Sequence, residues 1–218
     1  MTRGQFISFE GGEGAGKSTQ SRLLCRRLET FGIDALVTRE PGGSAGAEEI
    51  RALLVSGQVD RWNPLTEALL HFAARHDHVQ RTILPALERG VWVITDRFLD
   101  STLAYQGYGQ GVDLEKLNRI GEFVVGAAMP NLTLILDLPV AEGFARTELR
   151  ADGVSRYEQM DRAMHERMRQ GFHRIAKTKT ARCRMIDAAL DTESVHQAVW
   201  HSVQERFKIE PKQNAKIP

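Results

Sequence analysis

The sequence predicts an α/β fold, a five-stranded parallel sheet with helices on both faces, and two observations carry that prediction. Five short apolar runs, Phe6 to Glu10, Ala35 to Arg39, Val91 to Asp96, Leu132 to Leu138 and Arg184 to Asp187, alternate with stretches of helical periodicity. The runs are almost continuously apolar, as in Val91-Trp92-Val93-Ile94, which is what strands covered on both sides require. Ligands of such sheets sit beyond the carboxyl ends of the strands, so chemistry is expected in the residues that follow each run.

With 218 residues, of which 42% are apolar and 26% charged, the chain can bury one sizeable core. A single domain is expected over residues 1–207, followed by a polar, frayed tail over 208–218. The net charge of +1 argues against a nucleic acid or an anionic membrane as partner. Cys25 and Cys183 have no CxxC spacing, so neither zinc nor a redox pair is expected, and Cys25 among Leu23, Leu24 and Leu28 reads as a small core residue. No run approaches the roughly 20 apolar residues of a membrane span, and the stretch before the first run leaves no room for a signal peptide. The expected location is cytoplasmic. There is no internal repeat, low-complexity block or inter-domain linker.

The first run leads into Gly11 to Ser18, which reads Gly-Gly-Glu-Gly-Ala-Gly-Lys-Ser and precedes a helical stretch, Thr19 to Phe31. This is a Gly-x-x-x-x-Gly-Lys-Ser phosphate loop in the strand-before, helix-after context that gives the pattern meaning. Gly11, Gly12, Gly14 and Gly16 let the backbone wrap its N–H groups around a polyanion, and the helix N-terminus adds positive partial charge. The nucleotide cradle is therefore expected over Gly11, Gly12, Glu13, Gly14, Ala15, Gly16, Lys17, Ser18 and Thr19. Within it Lys17 reaches the outer phosphates and the Ser18 hydroxyl ligates Mg²⁺. Leu23, Leu24, Leu28 and Phe31 give the following helix one apolar face, with Gly32 as its cap.

The second run ends in Thr38-Arg39-Glu40-Pro41-Gly42-Gly43, a turn that carries an arginine to the edge of the site. A short helix is expected over Ala47 to Leu54. A long one starts at Pro64 on the pattern Leu65, Ala68, Leu69, Phe72, Val79, Ile83, is kinked or broken by Pro85, and ends at Gly90. The third run delivers Asp96-Arg97-Phe98. There Asp96 can hold a Mg²⁺-bound water or polarise an acceptor and Arg97 can grip a phosphate, the alternative being a plain surface ion pair. Ser101 to Gly107 follows, with Tyr105 and Gln106 able to hydrogen-bond a planar ring or a sugar. Leu114, Leu117, Ile120, Val124 and Val125 mark an amphipathic helix without evident chemistry.

The fourth run ends at Asp137, which reads either as support for the metal site or as a helix cap. Residues 146–156, Arg-Thr-Glu-Leu-Arg-Ala-Asp-Gly-Val-Ser-Arg, read either as a solvated charged face or as a lid whose arginines cover a transferring phosphoryl group. Met164, Met168, Phe172 and Ile175 form a core stripe. The fifth run leads to a last helix with Val195, Val199, Val203 and Phe207.

Assembled in this order, the motifs Gly11 to Thr19, Thr38 to Gly43, Thr66 to Leu70 followed by Ala73-Ala74-Arg75, Asp96 to Gly107, and the arginine-bearing lid resemble those of the thymidylate kinases. The resemblance runs from Phe6 to about Phe207. It implies the P-loop nucleoside monophosphate kinase fold, phosphorylation of dTMP by ATP with Mg²⁺, and a homodimer. It further implies that Glu13 faces the deoxyribose 3′-hydroxyl and that Arg97 holds the dTMP phosphate. Asp96 would serve the metal site, Arg75 would donate to thymine O4, and Tyr105 and Gln106 would shape the nucleoside pocket, the tyrosine crowding the 2′ position. Arg39, Pro41 and Ser101 complete the expected acceptor contacts. The family carries its catalytic arginine either in the phosphate loop or in the lid. Here the loop position is Gly14, so the lid should supply it, through Arg150 first, then Arg146 or Arg156. Where the family stacks a phenylalanine on thymine this chain has His71. The expected stacking residue is Phe72, with His71 and a purely structural Phe72 as the other readings.

Overall fold

The structure, a computed structural model, describes residues 2–148, 156–157 and 159–209. The expected strands form as β1 (Phe6–Gly11), β2 (Ala35–Arg39), β3 (Trp92–Asp96), β4 (Leu132–Asp137) and β5 (Cys183–Asp187), within a residue of the sequence-based limits. They make one parallel sheet in the order β2-β3-β1-β4-β5. Phe9 of β1 lies level with Asp96 of β3 and Leu134 of β4, so the phosphate loop emerges beside the Asp96-Arg97 turn.

Strand alternation splits the core into two layers. Phe6, Val93 and Ile135 face one side, with Phe72, Phe98, Met164, Met168 and Phe172, while Ile7, Phe9, Ile94, Leu134 and Leu136 face the other, with Leu24, Leu28, Val199 and Trp200. The described helices are α1 (Lys17–Thr30), α2 (Ala45–Val55), α3 (Pro64–His78), α4 (Leu84–Glu88), α5 (Leu99–Thr102), α6 (Leu114–Val125), α7 (Val140–Glu148), α8 (Arg162–Thr178) and α9 (Thr192–Phe207); Leu65 and Leu69, expected on the apolar face of α3, are exposed instead. Asn63, Asp113, Asp161 and Asp191 cap α3, α6, α8 and α9 by accepting first-turn N–H bonds.

The expected break near Pro85 takes the form of a π-helical segment, Val79–Ile83, after which Pro85 sits in the first turn of α4, where its missing N–H costs nothing. Ser101 to Gly107, which shows no simple periodicity, folds into α5 and a second π-helical segment, Leu103–Gly109. Asp137 fits neither sequence reading. It is held by Arg169, through Nε at 2.8 Å and Nη2 at 3.0 Å, and by His173 Nε2 at 3.0 Å, which fixes α8 to the end of β4.

Leu28 lies fully buried between α1 and the sheet. Leu28→Ala is expected to lower the unfolding free energy by about 2–5 kcal/mol, read from urea unfolding of the two proteins.

Candidate active site

The phosphate loop is locked between β4 and α7 by two glycines. Gly11 has φ 131°, and a Cβ there would fall 2.3 Å from the Leu136 carbonyl oxygen. Gly14 has φ 70°, and a Cβ would fall 2.3 Å from the Gly143 carbonyl oxygen. No side chain fits at Gly14, which gives a steric reason why this loop carries no arginine. Helix α1 begins at Lys17, so its unpaired first-turn N–H groups open into the loop. Lys17 is buried and its Nζ donates to the Gly12 carbonyl at 2.7 Å. Burial, then repulsion from Arg97, brings its pKa down to about 8. The Ser18 hydroxyl donates to Asp96 Oδ2, bringing two hard oxygen donors together where the loop meets β3. That pair suits Mg²⁺, which keeps water and phosphate oxygens as its other ligands.

Two cavities flank the loop. The first, of about 300 Å³, lies between Gly14, Ala15, Gly16, Thr19 and Gln20 on one side and Ala188, Leu190, Asp191, Thr192 and Val195 on the other. Arg146 closes it, donating through Nη1 to the Ala188 carbonyl at 2.9 Å. Sequence reasoning assigned no chemistry to Ala188–Val195, the turn after β5 and the start of α9, which becomes a wall only once β5 lies beside β4.

The second cavity, of about 240 Å³, gathers Glu13, Ser18, Arg39, Pro41, Arg75, Asp96, Arg97, Ser101, Tyr105 and Gln106, and adds Glu40, Arg51, Val55, His71, Thr102 and Tyr157. Arg97, in a left-handed conformation with φ 72°, donates through Nη2 to Glu13 Oε1 at 2.8 Å and through Nη1 to the Gly11 carbonyl at 3.0 Å. Tyr105 donates its hydroxyl to the same Glu13 oxygen at 2.6 Å. Burial alone would raise the Glu13 pKa, but Arg97, Lys17 and the Tyr105 hydrogen bond take it down to about 2. Arg75 is buried and locked by Glu40 Oε2 at 2.7 Å, Thr102 Oγ1 at 3.0 Å and the Phe98 carbonyl at 3.0 Å. Gln106 donates its amide N–H to Glu67 Oε1 at 2.7 Å, which orients the amide and leaves its own oxygen as an acceptor. Arg39 is exposed and paired with Glu48, while Arg51, not singled out in the sequence, lines the wall and donates to the Pro41 carbonyl at 2.7 Å.

Two expectations are corrected. Phe72 does not line the cavity: it is buried in the core with Ala68 and Ile83, whereas His71, turned about 100° around α3, does line it. Arg156 is not a mobile lid cation either. It is buried and donates to the Leu54 and Val59 carbonyls at 3.0 and 2.9 Å and to the Glu67 carboxylate, fastening the chain before α8 to α2 and α3. Arg150 lies outside the described residues, and Arg146 stands at the first cavity.

Residues 9–199 match the family model described as thymidylate kinase. The chain belongs to the thymidylate kinase family. It is 52% identical to the thymidylate kinase of Caulobacter vibrioides, over 96% of this chain and all of that one. It is 45% identical to that of Magnetococcus marinus, over 95% and 99% of the two chains. Its fold matches the crystal structure of thymidylate kinase from Ehrlichia chaffeensis with a TM-score of 0.76 at 35% identity, covering 93% of this chain and 99% of that one.

Beneath the second cavity of this family member lies Glu10, fully buried, which accepts Phe98 N at 2.9 Å and the Ser101 hydroxyl at 2.5 Å. The only trace of it in the sequence is an acidic residue closing an apolar run. Burial, then the Asp100 charge, raises its pKa to about 7. Unfolded, the group ionises near 4.5, so between about 4.5 and 7 the folded state binds more protons than the unfolded one. The Glu10 contribution to stability is therefore full below that window and falls as pH rises through it. Urea unfolding of wild type and Glu10→Gln at pH 5 and pH 8 is expected to show a loss on raising the pH that is smaller in the variant.

Proposed function

We propose that this chain is a dTMP kinase that transfers the γ-phosphoryl group of ATP to dTMP, giving dTDP and ADP. Family membership supports the activity, and one observation supports its geometry: both cavities are walled by the same loop, the second by Glu13 and Ser18 and the first by Gly14, Ala15 and Gly16. In this reading the cavity closed by Arg146 takes the adenosine of ATP, and the residues from Gly11 to Thr19 take its phosphates. The second cavity takes dTMP.

The acceptor phosphate is already ionised near neutral pH, so the reaction needs no strong general base. Catalysis is positioning and charge neutralisation. Lys17 and the first turn of α1 hold the donor phosphates. Arg97 holds the acceptor phosphate in line, with Ser101 beside it, and Glu13 keeps Arg97 oriented while facing the sugar 3′-hydroxyl. Tyr105 crowds the 2′ position. Arg75 and Gln106 meet the base edge, and Arg39 and Pro41 form the outer rim. Mg²⁺ held by Ser18 and Asp96 would offset charge on the donor phosphates. Arg150 of the lid supplies charge to the transition state, consistent with the exclusion of any side chain at Gly14.

Two free thiols, Cys25 and Cys183, suit a reducing compartment, and the proposed location is the cytoplasm. We also propose a homodimer. Leu65, Leu69, Ala73 and His76 form an exposed stripe along α3, which His76 joins to α6 through a 3.4 Å contact with the Val124 carbonyl. Next to that contact Phe123 is 86% exposed, and a continuous apolar stripe of this kind suits a self-complementary pairing of helices.

The activity is tested by coupling ADP release to a panel of dTMP, dUMP, dCMP, dGMP and thymidine. Fastest turnover with dTMP is expected, and preferred phosphorylation of thymidine would rule the assignment out. Arg150→Ala should lower kcat by about 10³-fold with little change in KM for dTMP, and near-normal turnover would remove Arg150 from the mechanism. For the dimer, Leu69→Asp should convert the sedimenting species to a monomer; an unchanged sedimentation coefficient would place any pairing surface elsewhere.

A further inference from the structure

We infer that His78, buried outside both cavities, is a positioning residue for Arg75: it holds the Glu40 carboxylate that fixes the Arg75 guanidinium at the acceptor-base wall. The inference rests on the second cavity being the dTMP site, with Arg75 at thymine O4.

Arg75 is a buried cation on the wall of that cavity, and few groups direct it. Its Cζ lies 5.3 Å from the Phe98 ring centroid and 5.6 Å from that of Phe72. Aromatic faces attract the cation without aiming its N–H groups. Aim comes from the hydrogen bonds to Glu40 Oε2, Thr102 Oγ1 and the Phe98 carbonyl, made by Nε, Nη1 and Nη2, which leave one N–H on each Nη for a ligand. Only Glu40 among these acceptors is a carboxylate, and it makes the one ion pair of Arg75 among the described residues. That bond therefore does most to hold the buried guanidinium.

Glu40 spends Oε2 on Arg75, and its other oxygen, Oε1, takes a hydrogen bond from His78 Nδ1 at 3.1 Å. The His78 and Glu40 side chains are 0% and 3% exposed. With one donor on each oxygen, the carboxylate cannot turn about its last bond without giving up both. Removing the His78 donor would leave Oε1 buried and unpaired among the described residues, and would free the carboxylate to turn away from Arg75. His78 is itself wedged in place. Its Nε2 shares a hydrogen bond with Thr38 Oγ1 at 2.8 Å, and a Cβ at Gly43 would fall 2.4 Å from Nε2. Arg75 and His78 stand three apart on α3 and take one oxygen each of Glu40, so the helix grips the turn after β2 at two points. The His78 ring lines neither cavity, so it acts on the base only through Glu40 and Arg75.

The test is a kinetic comparison of dTMP with the nucleotide of 5-methylpyrimidin-2-one, whose base has hydrogen in place of O4. His78→Leu should lower kcat/KM for dTMP by about tenfold, the scale of one charge-assisted hydrogen bond, and leave kcat/KM for the pyrimidinone nucleotide and KM for ATP nearly unchanged. His78→Asn, whose amide can donate from the place of Nδ1, should recover most of the dTMP value. Equal losses with both nucleotides, the mark of a purely structural role, or an unchanged dTMP value in a folded His78→Leu enzyme, overturn the inference. If His78→Leu fails to fold, two other results decide. Glu40→Gln should lower the dTMP-to-pyrimidinone ratio of kcat/KM by about tenfold, and ¹⁵N spectra of the histidine-labelled wild type should show a proton on His78 Nδ1. An unchanged ratio, or an Nδ1 without its proton, overturns the inference. Failure of the wild type to phosphorylate dTMP would overturn the proposed function, whereas an active dTMP kinase whose ratio ignores His78 overturns this inference alone.

Discussion

Arg97 leaves β3 in a left-handed conformation that a non-glycine residue adopts at a cost, and it turns its guanidinium back onto Glu13 and the Gly11 carbonyl of the phosphate loop. Its backbone N–H donates to the Phe9 carbonyl at 2.8 Å, so strand pairing itself fixes where the turn occurs. This contact ties the turn after β3 to the phosphate loop, whose next residues, Gly14 to Gly16, wall the first cavity. Glu10 supports the contact from below, holding Phe98 and Ser101, while Ser101 receives Arg97 Nη1 at 3.2 Å. The buried charges here are each matched by opposite charge or hydrogen bonds, as their removal from water demands.

A second polar hub stands on α3. Glu67 is fully buried and binds Arg156 as well as Gln106 of the second π-helical segment and Gln110 just after it. The Gln106 amide of the second cavity and the Arg156 guanidinium therefore share one carboxylate. The two hubs differ in kind: Arg97 and Glu13 join the turn after β3 to the phosphate loop, whereas Glu67 and Arg156 join α3 to the chain just before α8. Neither hub uses an isolated surface ion pair, which would contribute little.

The sheet was legible in the sequence because doubly buried strands need continuous apolar runs, and the phosphate loop because its glycines serve a local backbone geometry. Arg75, Arg97, Tyr105 and Gln106 could be carried to their places because each lies in a short motif. What escaped depends on contacts between distant segments. Arg156 lies 89 residues from Glu67, and nothing near it in the chain distinguishes a buried anchor from a mobile lid cation. Arg51 sits on a short helix whose docking alone turns it to the cavity. The choice between His71 and Phe72 carries a local signal: Ala68 and Phe72, four apart, share the inward face of α3, which leaves His71 for the cavity.

In the proposed function the two cavities are the two ends of one phosphoryl-transfer path along the phosphate loop. Its most direct measurement is the inhibition pattern of a single molecule in which adenosine and thymidine are joined through a polyphosphate bridge. This molecule is expected to compete with both ATP and dTMP and to bind far more tightly than either substrate. Competition with only one of them, at an affinity no better than that substrate's own, would contradict it.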